Sequence, residues 1–283
     1  MAGLVESVAA MSLPLPAKLE LLREAAARES RQERLLRWAA NHREIASGDD
    51  WCRRAWWGAA AGEVVRDHLY DPERRADALR LVEAADWTAL DEARRNGGVI
   101  LAAAHLGPPK VLMNLLLDRD LPLAVWTNTR DMPAWLRRQS RATLFDPLQA
   151  DQRGVLLVRS AAHLRAGGVL LAAADQATGQ RPVEIERLGI RWRFSRGLPA
   201  LARRLGVTVI VALALWRGER IHVECLRLEP PDESLADDAW QLAWLERYVE
   251  AVEPTIRQSP ENLRFLRWAV DRVARPWEAA QGD

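Results

Sequence analysis

A histidine and an aspartate each follow a run of apolar residues, and both could take part in proton transfer. His105 follows residues 99–104, and Asp175 and Gln176 follow residues 169–174. An uninterrupted apolar run is typical of a strand buried on both faces of a parallel sheet. Ligands of open α/β sheets bind beyond the carboxyl ends of the strands, so His105 is a candidate general base. The alternative is a histidine that only packs at the strand end, and an Asp-Gln pair alone often marks a turn.

A third cluster of candidate residues is basic. Arg191, Arg193 and Arg196 surround Ser195 at the start of a helix predicted to continue over residues 198–205. The N–H groups at a helix start, with arginine side chains nearby, favour anions such as phosphate or carboxylate. The alternative is a solvated basic face in an arginine-rich chain. The cluster is therefore a candidate anion site, and its spacing alone does not decide between the two interpretations.

Alternating strands and helices must position these residues. Apolar runs at residues 121–127, 207–216 and 221–228 predict further strands, and helical segments at residues 110–117, 134–143, 160–165 and 198–205 lie between the strands. This alternation predicts an α/β fold with a central, mostly parallel sheet flanked by helices. Residues 1–96 are predicted to form a helical N-terminal extension and residues 97–283 the α/β core, together making one integrated domain.

Composition excludes several classes of function. Of the 283 residues, 49% are hydrophobic, and 40 basic residues stand against 39 acidic ones, so no nucleic-acid partner is indicated. The two cysteines have no metal-ligand spacing, which predicts no metal site and fits a reducing, cytoplasmic compartment. No signal peptide and no apolar run of membrane-spanning length is evident, so we expect any membrane contact to be peripheral, on the inner face. Glycine-rich nucleotide loops and a G-x-S-x-G elbow are also missing from the sequence.

Several segments, taken in order, resemble a known family. Residues 98–107, Gly-Val-Ile-Leu-Ala-Ala-Ala-His-Leu-Gly, look like the block G-V-I-L-L-T-x-H-x-G-N-W-E of the lipid A biosynthesis (lauroyl/myristoyl) acyltransferases, which belong to the lysophospholipid acyltransferase superfamily. Residues 164–176 resemble the family's L-x-x-G-x-x-V-x-x-x-x-D-Q block. Residues 195–207, followed by a strand and Arg217, resemble T-x-x-G-x-x-x-L-A-x-x-x-G-A with its later arginine. Residues 260–268 resemble the closing P-x-Q-W-x-W-x-H-x-R segment.

The resemblance implies an acyltransferase. Such an enzyme moves an acyl group from an acyl carrier protein or coenzyme A thioester to a hydroxyl, or an amine, of a lipid or biosynthetic intermediate. His105 would be the general base, with no cofactor beyond the thioester co-substrate and no covalent enzyme intermediate. Asp175 and Gln176 would shape the site. Bound anionic groups would be held by the residues Arg193, Ser195, Arg196 and Arg217.

The sequence departs from the family at a critical position. The family pairs its histidine with an acid five residues later, in H-x-x-x-x-D/E, but here that residue is Lys110. Lysine has no acceptor for a ring N–H, and a nearby cation opposes formation of the imidazolium. Another carboxylate could orient His105, with Asp175 preferred over Glu184 or Glu186. Alternatively, Lys110 binds a charged substrate and no acid is needed, or the chain has lost acyl transfer and only binds an acyl chain or a carrier protein.

The N-terminal extension suggests a second contact surface. Many bacterial relatives begin with a transmembrane segment, whereas the first residues here are only mildly apolar. Trp51, Trp56 and Trp57, with Arg53 and Arg54 between them, could lie on a membrane or bind an acidic carrier protein. The alternative prediction is a helix that packs on the sheet and keeps its charged side outside.

Overall fold

Helices flank a seven-stranded sheet in the part of the chain that the computed structural model describes, residues 2–29, 48–139, 142–147, 153–175, 182–188 and 190–264. The predicted α/β fold is therefore confirmed. The strands are β1 (Val82–Ala85), β2 (Val99–Ala103), β3 (Leu123–Trp126), β4 (Thr143–Phe145), β5 (Val169–Ala173), β6 (Val183–Arg187), β7 (Ile190–Phe194), β8 (Thr208–Arg217) and β9 (Arg220–Leu228). The helices are α1 (Ala2–Ala10), α2 (Leu15–Glu29), α3 (Gly48–Leu69), α4 (Arg75–Leu79), α5 (Thr88–Arg94), α6 (Val111–Leu117), α7 (Ala134–Gln139), α8 (Arg153–Arg165), α9 (Gly197–Leu205) and α10 (Asp237–Gln258), and short 3-10 turns lie at Thr129–Asp131 and Pro260–Asn262.

The main sheet has the strand order β1-β9-β8-β2-β5-β3-β4. Only β8 and β9 pair antiparallel; the other neighbours in this sheet are parallel. In β2 and β5 every residue except the last is buried, which explains why both read as uninterrupted apolar runs. Burial of each large aliphatic side chain stabilises the fold by about 1.5–3 kcal/mol. These buried central strands therefore hold the residues that follow their carboxyl ends in fixed positions.

Three elements differ from the sequence predictions. Strand β1 lies within the region predicted to be helical, and three of its four residues are exposed at the sheet edge, so no buried apolar pattern marks it. Strands β6 and β7 form a separate antiparallel hairpin where only a basic cluster was recognised. Of the helix predicted over residues 134–143, the described part covers Ala134–Gln139, and strand β4 begins at Thr143.

The N-terminal helices pack against the sheet and against the end of the described chain. Trp51, Trp56 and Trp57 are buried on α3, whereas Arg53 and Arg54 point outward. The tryptophan rings fill the core, as the packing alternative predicts, and contact of this region with a membrane or a carrier protein stays a prediction. None of the described helices is both long and apolar enough to cross a bilayer. Residues 30–41 of the first predicted amphipathic helix, and residues 265–268 of the closing segment, lie outside the described residues.

Candidate active site

His105 and Asp175 meet at the carboxyl edge of the sheet because of strand register. Ala103, the last residue of β2, is paired with Ala173, the last residue of β5, and each strand continues by two residues to its polar side chain. The ring Nδ1 of His105 lies 2.7 Å from Oδ1 of Asp175, and the backbone N–H of His105 donates to Oδ2 at 2.6 Å. The two residues are 70 apart in the chain. A carboxylate thus lies beside the ring of His105, although the fifth residue after the histidine is Lys110 and not an acid.

The charge of Asp175 determines which nitrogen of the ring carries the proton. Burial by itself would raise the pKa of Asp175, but the charge of His105 and hydrogen bonds from its ring and backbone outweigh burial, so the pKa is lowered. An ionised carboxylate only accepts hydrogen bonds, so Nδ1 must be the protonated nitrogen. The lone pair is therefore on Nε2, which has no hydrogen-bond partner among the described residues. The His105 side chain is 32% exposed and that of Asp175 only 8%, so the imidazole is accessible and the carboxylate is enclosed.

Lys110 is held away from this pair. Its backbone is left-handed, with φ at 67°, and its Nζ donates to the Thr127 hydroxyl at 2.8 Å. Thr127 follows β3, which is separated from β2 by β5. Strands two positions apart lie about 10 Å from each other. The ammonium therefore sits over a different strand, where it does not take the place of the acid beside the ring.

Tyr248, which the sequence did not single out, fixes the end of β2. Its hydroxyl donates to the Ala103 carbonyl at 2.8 Å, and that oxygen also accepts the Ala174 N–H at 2.9 Å. Burial raises the pKa of Tyr248 well above its usual value, and the charge of Asp175 adds to the increase. Tyr248 is thus a neutral donor close to the carboxylate. It sits on the buried face of a helix predicted only as amphipathic, so no local signal distinguished it from a core aromatic residue.

The predicted anion-binding arginines are each paired with an acidic side chain. Arg193 pairs with Glu184 at 3.3 Å across the β6–β7 hairpin, so Glu184 is engaged on this hairpin. Arg196 pairs with Asp238 at 2.6 Å, and Arg217 with Glu224 at 2.6 Å.

The hydroxyl of Ser195 accepts the Gly197 N–H at 3.3 Å, a local contact at the start of α9. Glu186 is exposed on β6, and Gln176 lies outside the described residues. Arg193, Ser195, Arg196 and Arg217 make the contacts just described, and their roles in anion binding stay predictions. Within the described ranges no three His, Cys, Asp or Glu side chains come together as a possible metal site.

Comparison with known proteins shows one distant similarity. No protein-family model matches the chain. The chain is 25% identical over 271 residues to the Vi polysaccharide export protein VexE of Salmonella typhi, an alignment that covers 91% of this chain and 37% of that protein. This chain therefore spans little more than a third of its relative. The similarity covers nearly all of the present chain.

Proposed function

We propose that this chain is an acyltransferase that moves an acyl group from an acyl carrier protein or coenzyme A thioester to a hydroxyl or amine. The observation that carries the proposal is the hydrogen-bonded His105–Asp175 pair at the carboxyl edge of the parallel sheet. A histidine whose Nδ1–H is held by a buried carboxylate presents Nε2 as a base, and the carboxylate stabilises the imidazolium that forms. The resemblance to the lipid A acyltransferases supplies the reaction class.

The proposed reaction is a direct transfer. As the acceptor oxygen bonds to the thioester carbonyl carbon, its proton passes to Nε2 of His105. The tetrahedral intermediate then collapses, the carbon–sulfur bond breaks, and the thiolate of the carrier takes the proton back from Nε2. His105 is unchanged at the end, and Asp175 keeps its negative charge throughout. Neither cysteine is needed as a nucleophile.

The acceptor is proposed to be a lipid or a biosynthetic intermediate. The name of the distant relative concerns export of a polysaccharide, so a sugar hydroxyl or a lipid-linked sugar belongs among the acceptors to be tested. The protein is proposed to act in the cytoplasm, with any membrane contact peripheral and on the inner face. In the proposal Lys110 is a candidate contact for a charged part of the substrate.

A second candidate function follows from Lys110. The family that the sequence resembles carries an acid five residues after its histidine, and here that residue is a lysine. The chain could therefore be an inactive relative that binds an acyl chain or a carrier protein. Asp175 supports the enzyme over this alternative, since a binding protein has no need for a buried carboxylate that orients the ring. The two candidates differ in turnover, and turnover can be measured directly.

The experiment is acyl transfer from a panel of acyl carrier protein and coenzyme A thioesters to lipid and sugar acceptors. The wild type is compared with His105→Ala, Lys110→Ala and a matched control, His222→Ala. His222 also pairs with a carboxylate, Glu83, and is 34% exposed, but it lies toward the far edge of the sheet. We expect turnover in the wild type and in the control, and loss of turnover in His105→Ala. Thioester binding without turnover in the wild type would favour the binding protein, and turnover that survives His105→Ala would contradict the proposed mechanism.

A further inference from the structure

The side chain of Asn262 completes a pair of backbone hydrogen bonds on β8. Its Oδ1 accepts the N–H of Trp216 at 2.7 Å, and its Nδ2 donates to the Trp216 carbonyl at 3.2 Å. Asn262 is completely buried. The amide thus takes the place of a residue in a neighbouring strand, and it satisfies two backbone groups that water cannot reach.

The backbone of Asn262 holds the loop that follows His105. Its carbonyl accepts the Gly107 N–H at 2.8 Å, and the next residue, Leu263, forms an antiparallel bridge with Leu106. A Cβ on Gly107 would lie 1.9 Å from the Ala214 carbonyl oxygen, so this loop is pressed directly against β8. Asn262 therefore joins β8 to the loop through its side chain on one side and its backbone on the other.

Helix α3 holds the same segment in place from outside. Arg54 bonds both carboxylate oxygens of Glu261, at 3.1 and 3.0 Å. A Cβ on Gly58 would lie 1.9 Å from the Glu261 carbonyl oxygen, so the helix and the segment are in backbone contact. The Pro260–Asn262 turn is thus enclosed between α3 and the sheet. Because the turn cannot shift outward, the position of Asn262 is transmitted to Gly107.

We propose that Asn262 is a positioning residue for His105, which keeps the ring aligned with Asp175 by fixing the loop that leaves the histidine. The effect of Asn262 on the rate rests on the acyltransferase function proposed above. Its effect on the geometry of the His105–Asp175 hydrogen bond does not depend on that function. His105 is held on one side by Asp175 and on the other by the course of Leu106 and Gly107. If the loop is released, the ring can rotate away from the productive geometry, and displacements of about 1 Å can reduce rates about 10²-fold.

The test uses the whole chain and two readouts. The first is the low-field proton resonance of Nδ1–H of His105, assigned by its disappearance in His105→Gln and followed as the pH is changed. The second is kcat and KM for acyl transfer. Asn262→Ala is compared with a control variant, Ser160→Ala. Ser160 is buried on α8, and its hydroxyl accepts a hydrogen bond from Trp126 Nε1 at 2.9 Å, so this variant also removes a buried side-chain acceptor. Asn262→Asp, which has the same shape but lacks the amide donor, is the second variant if the alanine variant does not fold.

We expect Asn262→Ala to broaden or abolish the Nδ1–H resonance and to lower kcat about 10²-fold, with KM within about threefold of the wild type. Ser160→Ala should retain the resonance and the rate. A resonance and pH profile unchanged in both Asn262 variants would overturn the proposal. If the wild type transfers no acyl group but the resonance still depends on Asn262, the proposed function fails while the positioning role stands.

Discussion

The carboxylate of Asp175 bonds His105 twice, once at the ring and once at the backbone N–H. The backbone N–H can only donate, so one carboxylate oxygen is committed to it. The other oxygen is then directed to Nδ1, and the orientation of the imidazole follows from the orientation of the peptide. The end of strand β2 therefore helps to align the imidazole with the carboxylate, so the alignment does not depend on the side-chain rotamer alone.

Asp175→Asn should reverse the tautomer of His105. The backbone N–H of His105 will retain the amide oxygen of the new side chain, so the amide NH₂ will face Nδ1 and make it an acceptor. The proton then moves to Nε2, which can no longer act as a base. We expect kcat to fall roughly 10³- to 10⁴-fold, as for the loss of tautomer control in other His–acid pairs. Nitrogen-15 NMR of the ring reads the tautomer directly.

The matched control for this prediction is Asp146→Asn. Asp146, which follows β4, is also a buried carboxylate. It accepts hydrogen bonds from the backbone N–H and from the hydroxyl of Thr129. We expect this control to alter stability without changing the tautomer of His105. An Asp175→Asn enzyme with a protonated Nδ1 and normal turnover would show that the backbone hydrogen bond does not direct the amide.

An acid introduced at position 110 should not replace Asp175. The side chain of Lys110 extends to Thr127 beyond β3, so a carboxylate attached at this backbone position starts from an unfavourable direction. We expect the double variant Lys110→Asp/Asp175→Asn to be as slow as Asp175→Asn alone in the thioester assay. Recovery of more than about tenfold in kcat/KM would mean that the loop can bring an acid at position 110 next to His105, as in the family that the sequence resembles.

Gly107→Ala should be far more destabilising than Gly206→Ala. Both glycines are left-handed, with φ at 63° and 59°, so both variants incur backbone strain of about 1–2 kcal/mol. At Gly206 the new Cβ has open space, whereas at Gly107 it would lie 1.9 Å from the Ala214 carbonyl oxygen. We expect a further loss of at least about 2 kcal/mol in the free energy of unfolding at Gly107. Urea titrations of the two variants measure the difference. Equal losses in unfolding free energy would show that β8 can move away from the added methyl group.

The Asp175 carboxyl should stabilise the fold at neutral pH and lose this effect in acid. Its pKa is lowered in the folded chain, so the contribution is complete above the unfolded pKa of about 3.9 and disappears as the pH falls through the lower folded value. The difference in unfolding free energy between wild type and Asp175→Asn should therefore begin to shrink below about pH 5 and continue to shrink as the pH falls through the folded pKa. A difference that is constant over this range would contradict the hydrogen-bonded carboxylate.

Cys225 should be inert to thiol reagents in the native protein. Burial, with a further contribution from the charge of Asp86, raises its pKa to about 12. At pH 8 only about one thiol in 10⁴ would then be ionised, and the thiolate is the reactive form. Cys52 is buried, so it should react only on unfolding. Rapid native labelling at Cys225 would show a more accessible thiol and would reopen cysteine as a nucleophile.

Central strands were predictable from the sequence, and edge elements were not. Strands β2 and β5 are covered on both faces, so their residues had to be apolar without interruption, and the polar residues after them marked the site. Strand β1 is exposed, and its four residues, Val-Glu-Ala-Ala, are compatible with a helix. Only the pairing with β9 makes this segment a strand, and pairing is a long-range contact that local patterns do not contain.

The same distinction applies to the site. His105 and Asp175 were recognisable as candidates because each follows an apolar run, and Asp175 was already the preferred substitute for the missing acid. Their contact depends on the pairing of Ala103 with Ala173, which no single sequence reveals. Asn262 lies far from His105 in the chain, and a buried amide has no local signature. The closing segment was noticed through its resemblance to the family, without an indication of what it contacts.

The contact between Gly107 and Asn262 also bears on the time at which the site can form during synthesis. A ribosome adds roughly 5–20 residues per second, so the roughly 150 residues between these two positions take on the order of 10 to 30 s to appear. During this interval the histidine loop has emerged without its buried amide partner. The nascent chain is therefore expected to contain β2 and His105 well before the buried amide that holds the histidine loop has been synthesised.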